Sequence, residues 1–175
     1  MSETYDPDAH KWLRRKSVTA QNPASMRTLV EYGEYGVAVM DEPVSAGGSG
    51  EGPSPLQSVL GALCGCESVT FRRTATDMDL AYESIRFDAA FTIDIRGRFG
   101  DRSVRPHFQT VRVRAIVTTD ASLADLDSVI TETEARCPVM NLLLDANVDL
   151  EIDWIRESDD VLVSVPRASH LRDQP

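Results

Sequence analysis

The sequence predicts an α+β protein built from a strongly curved antiparallel or mixed sheet and a long buried helix. Three observations carry this reading. Residues 56–66 run helix-like without one charged side chain, and a helix that is apolar all round is buried all round. Residues 85–95, 111–118 and 148–154 alternate apolar and polar side chains, the period of half-buried strands. The elements follow as strand, strand, long helix, strand, strand, helix, helix, strand, an order that suits α+β architecture.

Each element has a local reason. Residues 26–32 and 36–40 read as short strands joined by a turn at Gly33 and Gly36. The glycine-rich stretch 46–53 reads as a flexible loop. No Gly-Lys-Ser/Thr follows it, so it is not a phosphate loop. Ser54 can cap a helix whose first position suits Pro55, and the helix should run to Asp77. Its second half carries Arg72, Arg73 and Asp77 and should emerge into solvent.

Ile85, Phe87, Ala89, Phe91, Ile93 and Ile95 form the apolar side of one strand. Val111, Val113, Ala115 and Val117 form that of the next, antiparallel to it across residues 97–106. Ser122 caps a helix to Arg136, with Asp125 in the first turn, where the helix dipole favours acid. Pro138 must break that helix, and a short one follows to Asp145. A last strand puts Asp149, Glu151 and Asp153 on its wet face, partners for an arginine-bearing neighbour.

The chain divides into an N-terminal arm at 1–24, one domain at 25–156 and a C-terminal tail at 157–175, whose end should be mobile. Residues 10–16 are basic with one aromatic and suit a short surface helix. One small sheet covers only one side of the uncharged helix, so a second copy of the chain is the economical source of the rest. Gly61 and Gly65 share a helix face and would let another backbone approach.

Composition narrows the function. The 175 residues suffice for a proper core. The net charge of −10 argues against nucleic acid as the main partner. No apolar stretch approaches the ~20 residues that span a bilayer. The opening Met1-Ser2-Glu3-Thr4 lacks the pattern of a secretion signal. With three cysteines, an odd number, a reducing cytoplasm is expected rather than a disulfide framework. His10, His107 and His170 show no metal spacing, and neither a cofactor nor a metal is expected.

Two thiols are the informative side chains. Cys66 ends the uncharged run and Cys137 precedes the proline of a new helix. Far apart in sequence, they could meet in space and cycle through a disulfide, or each could be a small core residue. From the residues alone, Cys137 is the better thiolate, beside unpaired N–H groups and a positive dipole end. Cys64 lies about 200° around the helix from Cys66 and reads as a packing residue. Glu67 reads as a solvated or dimer-contact residue.

Gly52-Pro53-Ser54-Pro55-Leu56-Gln57, the small-residue helix ending in Gly65-Cys66 and the Cys137-Pro138-Val139 motif together resemble the OsmC/Ohr family of osmotically inducible and organic hydroperoxide resistance proteins. Met40-Asp41-Glu42-Pro43 and Gly47-Gly48 resemble its OsmC-like branch. The likeness runs in order over roughly residues 25–156. It implies an intertwined homodimer, with the central helices of both subunits buried between two sheets. It also implies a peroxidase in which Cys66 attacks an organic hydroperoxide and Cys137 resolves the sulfenic acid to a disulfide, which a dithiol reductant, not identified by the sequence, would recycle.

The family's thiolate is stabilised by an arginine from the early strands, held by a glutamate directly after the motif proline. The resemblance gives the first role to Arg27, the only lysine or arginine between Lys16 and Arg72. The glutamate position holds Leu56. Either the arginine is held otherwise or peroxidase activity is weak. The alternative function is a dimeric module that binds an apolar small ligand with little or no peroxidase activity.

Overall fold

A computed structural model describes residues 13–164. It is an α+β protein of two units, divided between Ser58 and Val59. Of the helix expected at 10–16, residues 10–12 fall outside the described residues and residues 13–16 are not helical; the tail beyond 164 also falls outside.

The first unit holds a three-stranded antiparallel sheet in the order β1 (Thr19–Gln21), β2 (Thr28–Glu31), β3 (Val37–Met40). β1 lies inside the stretch expected to be an arm. Gly33 and Gly36 make the β2–β3 turn with φ of +65° and +88°, a region that L side chains rarely adopt.

The loop after β3 is held rather than slack. Asp41, fully enclosed, accepts hydrogen bonds from the backbone N–H groups of Glu42 (2.8 Å), Ser49 (3.0 Å) and Glu51 (3.2 Å) and from the Ser49 hydroxyl (2.8 Å). Gly48 passes so close that an added Cβ would lie 1.8 Å from the Glu42 carbonyl oxygen.

Helix α1 (Pro55–Asp77) starts where expected. The Ser54 hydroxyl accepts from the Gln57 N–H (3.2 Å), and the Gln57 side chain accepts from the Ser54 N–H (2.9 Å), a reciprocal capping box.

The second unit is built on a four-stranded mixed sheet in the order β4 (Ser84–Ile93), β5 (Phe108–Thr118), β6 (Asp149–Arg156), β7 (Val161–Ser164). β4–β5 and β6–β7 are antiparallel, and β5–β6 is parallel. That parallel pair requires a crossover, which α2 (Leu123–Arg136) and α3 (Pro138–Asp145) supply. β4 stops at Ile93 because Asp94 caps the following turn, accepting from the Arg96 N–H at 3.0 Å. β7 falls in the stretch expected to be tail.

Alternation sorts the sheet into two faces. Val111, Val113, Ala115, Val117, Leu150, Ile152 and Trp154 are buried with Leu63, Phe71, Leu126 and Ile130 of the helices. Phe71 stacks on Trp154 with ring centroids 5.5 Å apart. On the other face Arg112 meets Asp149 (2.6 Å) and Glu151 (2.9 Å), the expected charge pairing. Arg114 pairs with Asp160, not with Asp153.

Within one chain α1 is not covered all round. Val59, Gly61, Ala62, Gly65 and Val69 are exposed, and a Cβ added at Gly61 or Gly65 would meet nothing within 4 Å among the described residues.

Candidate active site

Cys66 sits about three turns into α1, and Cys137 sits at the joint between α2 and α3. The fold brings these two together: the Cys137 thiol interacts with Cys66 and with Glu67. All three cysteines are free; Cys137 is fully buried and Cys66 is partly open.

The joint has a sequence cause. Pro138 cannot continue α2, so Cys137 takes an extended conformation (φ −76°, ψ 110°), closing α2 and opening α3. Asn141 secures it, donating to the carbonyl oxygens of Cys137 (2.9 Å), Glu134 (3.3 Å) and Ala135 (3.3 Å).

The electrostatics correct the expectation for Cys137. Its thiol is pushed well above the ordinary range, first by burial and then by the charge and contact of Glu67. The helix N-terminus beside it is outweighed. Cys137 is therefore a proton-bearing thiol at neutral pH. Cys64 is raised as well, by burial foremost.

Glu67 is the residue that sequence reasoning misplaced. It is fully buried, not solvated. Among the described residues no hydrogen bond of ordinary geometry reaches either carboxylate oxygen, and the thiol of Cys137 is the polar group that acts on them. Burial pushes its carboxyl up to about 7, with Glu134 adding to the rise and Cys137 opposing it. The signal was present: Leu60, Leu63, Glu67, Phe71 and Thr74 recur at helical spacing, and all five are buried. Glu134 itself accepts from the Trp154 indole N–H at 3.0 Å.

Arg27 belongs to the first unit. There its Nε lies 2.7 Å from Oε2 of Glu51. The carboxylate that holds it thus comes from the loop anchored by Asp41, not from position 56. Sequence spacing gave no sign of Glu51, because the loop's path depends on Asp41.

Among the described residues no group of three His, Cys, Asp or Glu is arranged to hold a metal ion, and no helix is long and apolar enough to cross a membrane. A cavity of about 750 Å³ lies beyond the end of α1, lined by residues such as Leu80, Tyr82, Glu83, Asp120, Asp125 and Val129. None of the cysteines lines it.

Two thiols in contact across a helix and a helix joint, on an α+β fold of this order, define a dithiol protein. The family model for OsmC-like protein matches residues 48–153, and the chain belongs to that family. Solved structures share the fold. The OsmC-like protein of Mycoplasma pneumoniae superposes with a TM-score of 0.71 at 14% identity, over 82% of this chain and 97% of that one. An organic hydroperoxide resistance protein OsmC of Legionella pneumophila gives 0.61 at 16% identity, over 81% and 97%. An organic hydroperoxide resistance protein of Elizabethkingia anophelis gives 0.62 at 12% identity, over 81% and 96%. No curated protein matches the sequence.

Proposed function

We propose that this protein is a thiol peroxidase that reduces organic hydroperoxides through a Cys66/Cys137 dithiol–disulfide cycle. The observation that carries the reading is the contact between the two thiols. Cys66, the more accessible of the two, attacks the hydroperoxide. The O–O bond breaks, the alcohol leaves and Cys66 becomes a sulfenic acid. Cys137 then attacks the Cys66 sulfur, water leaves, and a disulfide remains for a dithiol reductant to open. The family resemblance gives Arg27, paired with Glu51, the role of stabilising the Cys66 thiolate and the departing oxygen. The names of the Legionella and Elizabethkingia structures support the substrate class.

The working form is a homodimer in a reducing cytoplasm. The exposed Val59, Ala62 and Val69 face of α1, with its two glycines, supports a second copy as the cover. The alternative of a module for an apolar ligand draws no comparable support, since acidic side chains such as Glu83, Asp120 and Asp125 line the cavity beyond α1.

The test is treatment of reduced protein with tert-butyl hydroperoxide followed by peptide mapping. A Cys66–Cys137 disulfide is expected. A Cys64 disulfide, or Cys66 oxidised to sulfinic acid with Cys137 untouched, would overturn the cycle.

A further inference from the structure

We infer that Glu67 is the proton carrier of the thiol pair: its carboxylate takes the proton of the Cys137 thiol as that sulfur attacks Cys66, and returns it to the oxygen that leaves Cys66. The returning step rests on the peroxidase reading; the first step does not.

Glu67 is placed for this and for little else. Glutamate is almost never fully buried unless paired, yet no cation and no backbone N–H satisfies this one among the described residues. The groups that act on it are Cys137, from the α2–α3 joint, and Glu134, from α2. Arg136, also on α2, is engaged with Asp77 and Glu132. Arg72 and Arg73, further along α1, are exposed. On its own helix Glu67 follows Cys66 directly, so one short stretch presents both the sulfur to be attacked and the base.

Cys137 needs such a base. Burial and the neighbouring carboxylate both oppose a free thiolate there. A base in contact removes the need for one, because the proton can move as the S–S bond forms. The Glu67 carboxyl titrates near 7, so at neutral pH a large fraction is ready to accept, and the protonated product suits its buried site.

The step balances. Glu67 carboxylate removes the proton from the Cys137 sulfur. The sulfur's electron pair forms the bond to the Cys66 sulfur, and the S–O bond of the sulfenic acid breaks with its pair on oxygen. That hydroxide takes the proton from the Glu67 carboxyl and leaves as water. Cys137 is oxidised, the sulfenic sulfur is reduced, and Glu67 ends as it began.

A purely structural Glu67 would make the opposite prediction in one measurement. In a Cys64→Ser background, 5,5′-dithiobis(2-nitrobenzoate) labels the partly open Cys66 and releases one aryl thiolate. Attack by Cys137 on the mixed disulfide releases a second, a leaving group that requires no proton. The rate of that second release is followed from pH 5 to 8.5. In C64S it should rise through an inflection near 7 and level off. In C64S/E67Q the inflection should vanish and the rate at pH 7.5 should fall on the order of 10²-fold. Removing the negative charge should by itself ease ionisation of Cys137 and speed attack, so an equal or faster rate in E67Q overturns the inference. A flat profile in C64S overturns it too, even where E67Q fails to fold. C64S/C137S must show no second release, and a second release there also overturns it. If the E67Q deficit stands while tert-butyl hydroperoxide leaves Cys66 unoxidised, the peroxidase reading falls and the carrier role of Glu67 remains.

Discussion

The guanidinium of Arg27 forms an ion pair with Glu51, Nε to Oε2 at 2.7 Å, although the resemblance leads one to look for a carboxylate at position 56. The carboxylate beside Arg27 lies on the loop before the helix. Glu51→Gln should therefore slow hydroperoxide-driven oxidation of Cys66 by about tenfold, since a loosely held cation stabilises the transition state less well. In stopped-flow measurements R27A and R27A/E51Q should be equally slow, because Glu51 acts only through Arg27. Leu56→Glu should bring no acceleration, Arg27 already having its partner. A faster L56E would mean that Glu51 is a poor substitute.

The ion pair itself depends on Asp41. Burial would raise that carboxyl, but hydrogen bonds from Ser49, Glu51 and Glu42 outweigh it and hold it below the ordinary carboxylate range. A carboxylate depressed on folding adds stability at pH values above its unfolded pKa of 3.8, and that contribution is lost as pH falls below it. Asp41→Ala should lower the thermal midpoint at pH 7, and that difference should narrow as pH falls below 3.8. It should also slow Cys66 oxidation as E51Q does. A D41A protein with normal oxidation kinetics would show that Glu51 finds its place without the anchor.

Glu67 has the reverse linkage. Its carboxyl titrates near 7 when folded and near 4.5 when unfolded, so between those values the folded chain binds the extra proton. Its effect on stability is nil below about pH 4.5, grows as pH rises, and levels off above 7 at a cost of about 3 kcal/mol. Urea unfolding of wild type and Glu67→Gln at pH 5 and pH 8 should show wild type losing ground to the variant as pH rises. A constant difference between the two would place Glu67 in an ordinary, solvated titration.

Gly61→Leu separates folding from assembly. Space for the side chain exists around Gly61 among the described residues, so the single chain should fold with unchanged circular dichroism. A second subunit seated on that face would be overpacked. Light scattering should give a dimer for wild type and a monomer for G61L. A dimeric G61L would move the interface elsewhere.

What the sequence revealed was local or strictly periodic. The Ser54–Gln57 and Ser122–Asp125 caps lie within single turns, and both helices begin where those residues say. The acidic face of β6 found the arginine of β5 because alternation fixes which side chains share a face. The strand β1 spans only three residues, too short to show a period, and β7 is a run of four without alternation of apolar and polar side chains over its first three residues. The parallel pairing of β5 with β6 depends on how α2 and α3 cross the sheet, which no single window records. For the site, the two thiols were legible, but Glu67 was read by its charge when its spacing with Leu63 and Phe71 pointed inward. The Arg27–Glu51 pair was hidden because it follows from the folded path of a glycine-rich loop.

The break at Pro138 also governs what the protein must deform to work. Cys137 lies between α2 and α3, and its carbonyl, which accepts from the Asn141 N–H at 3.1 Å, can stay in place while its sulfur turns about the side-chain bond alone. The joint's backbone is held instead by Asn141, through its N–H and its side-chain amide. Hydrogen exchange should accordingly give the same protection for α2 and α3 in the reduced and oxidised protein. Replacing Asn141 with alanine should make the oxidised form alone exchange faster around residues 134–141.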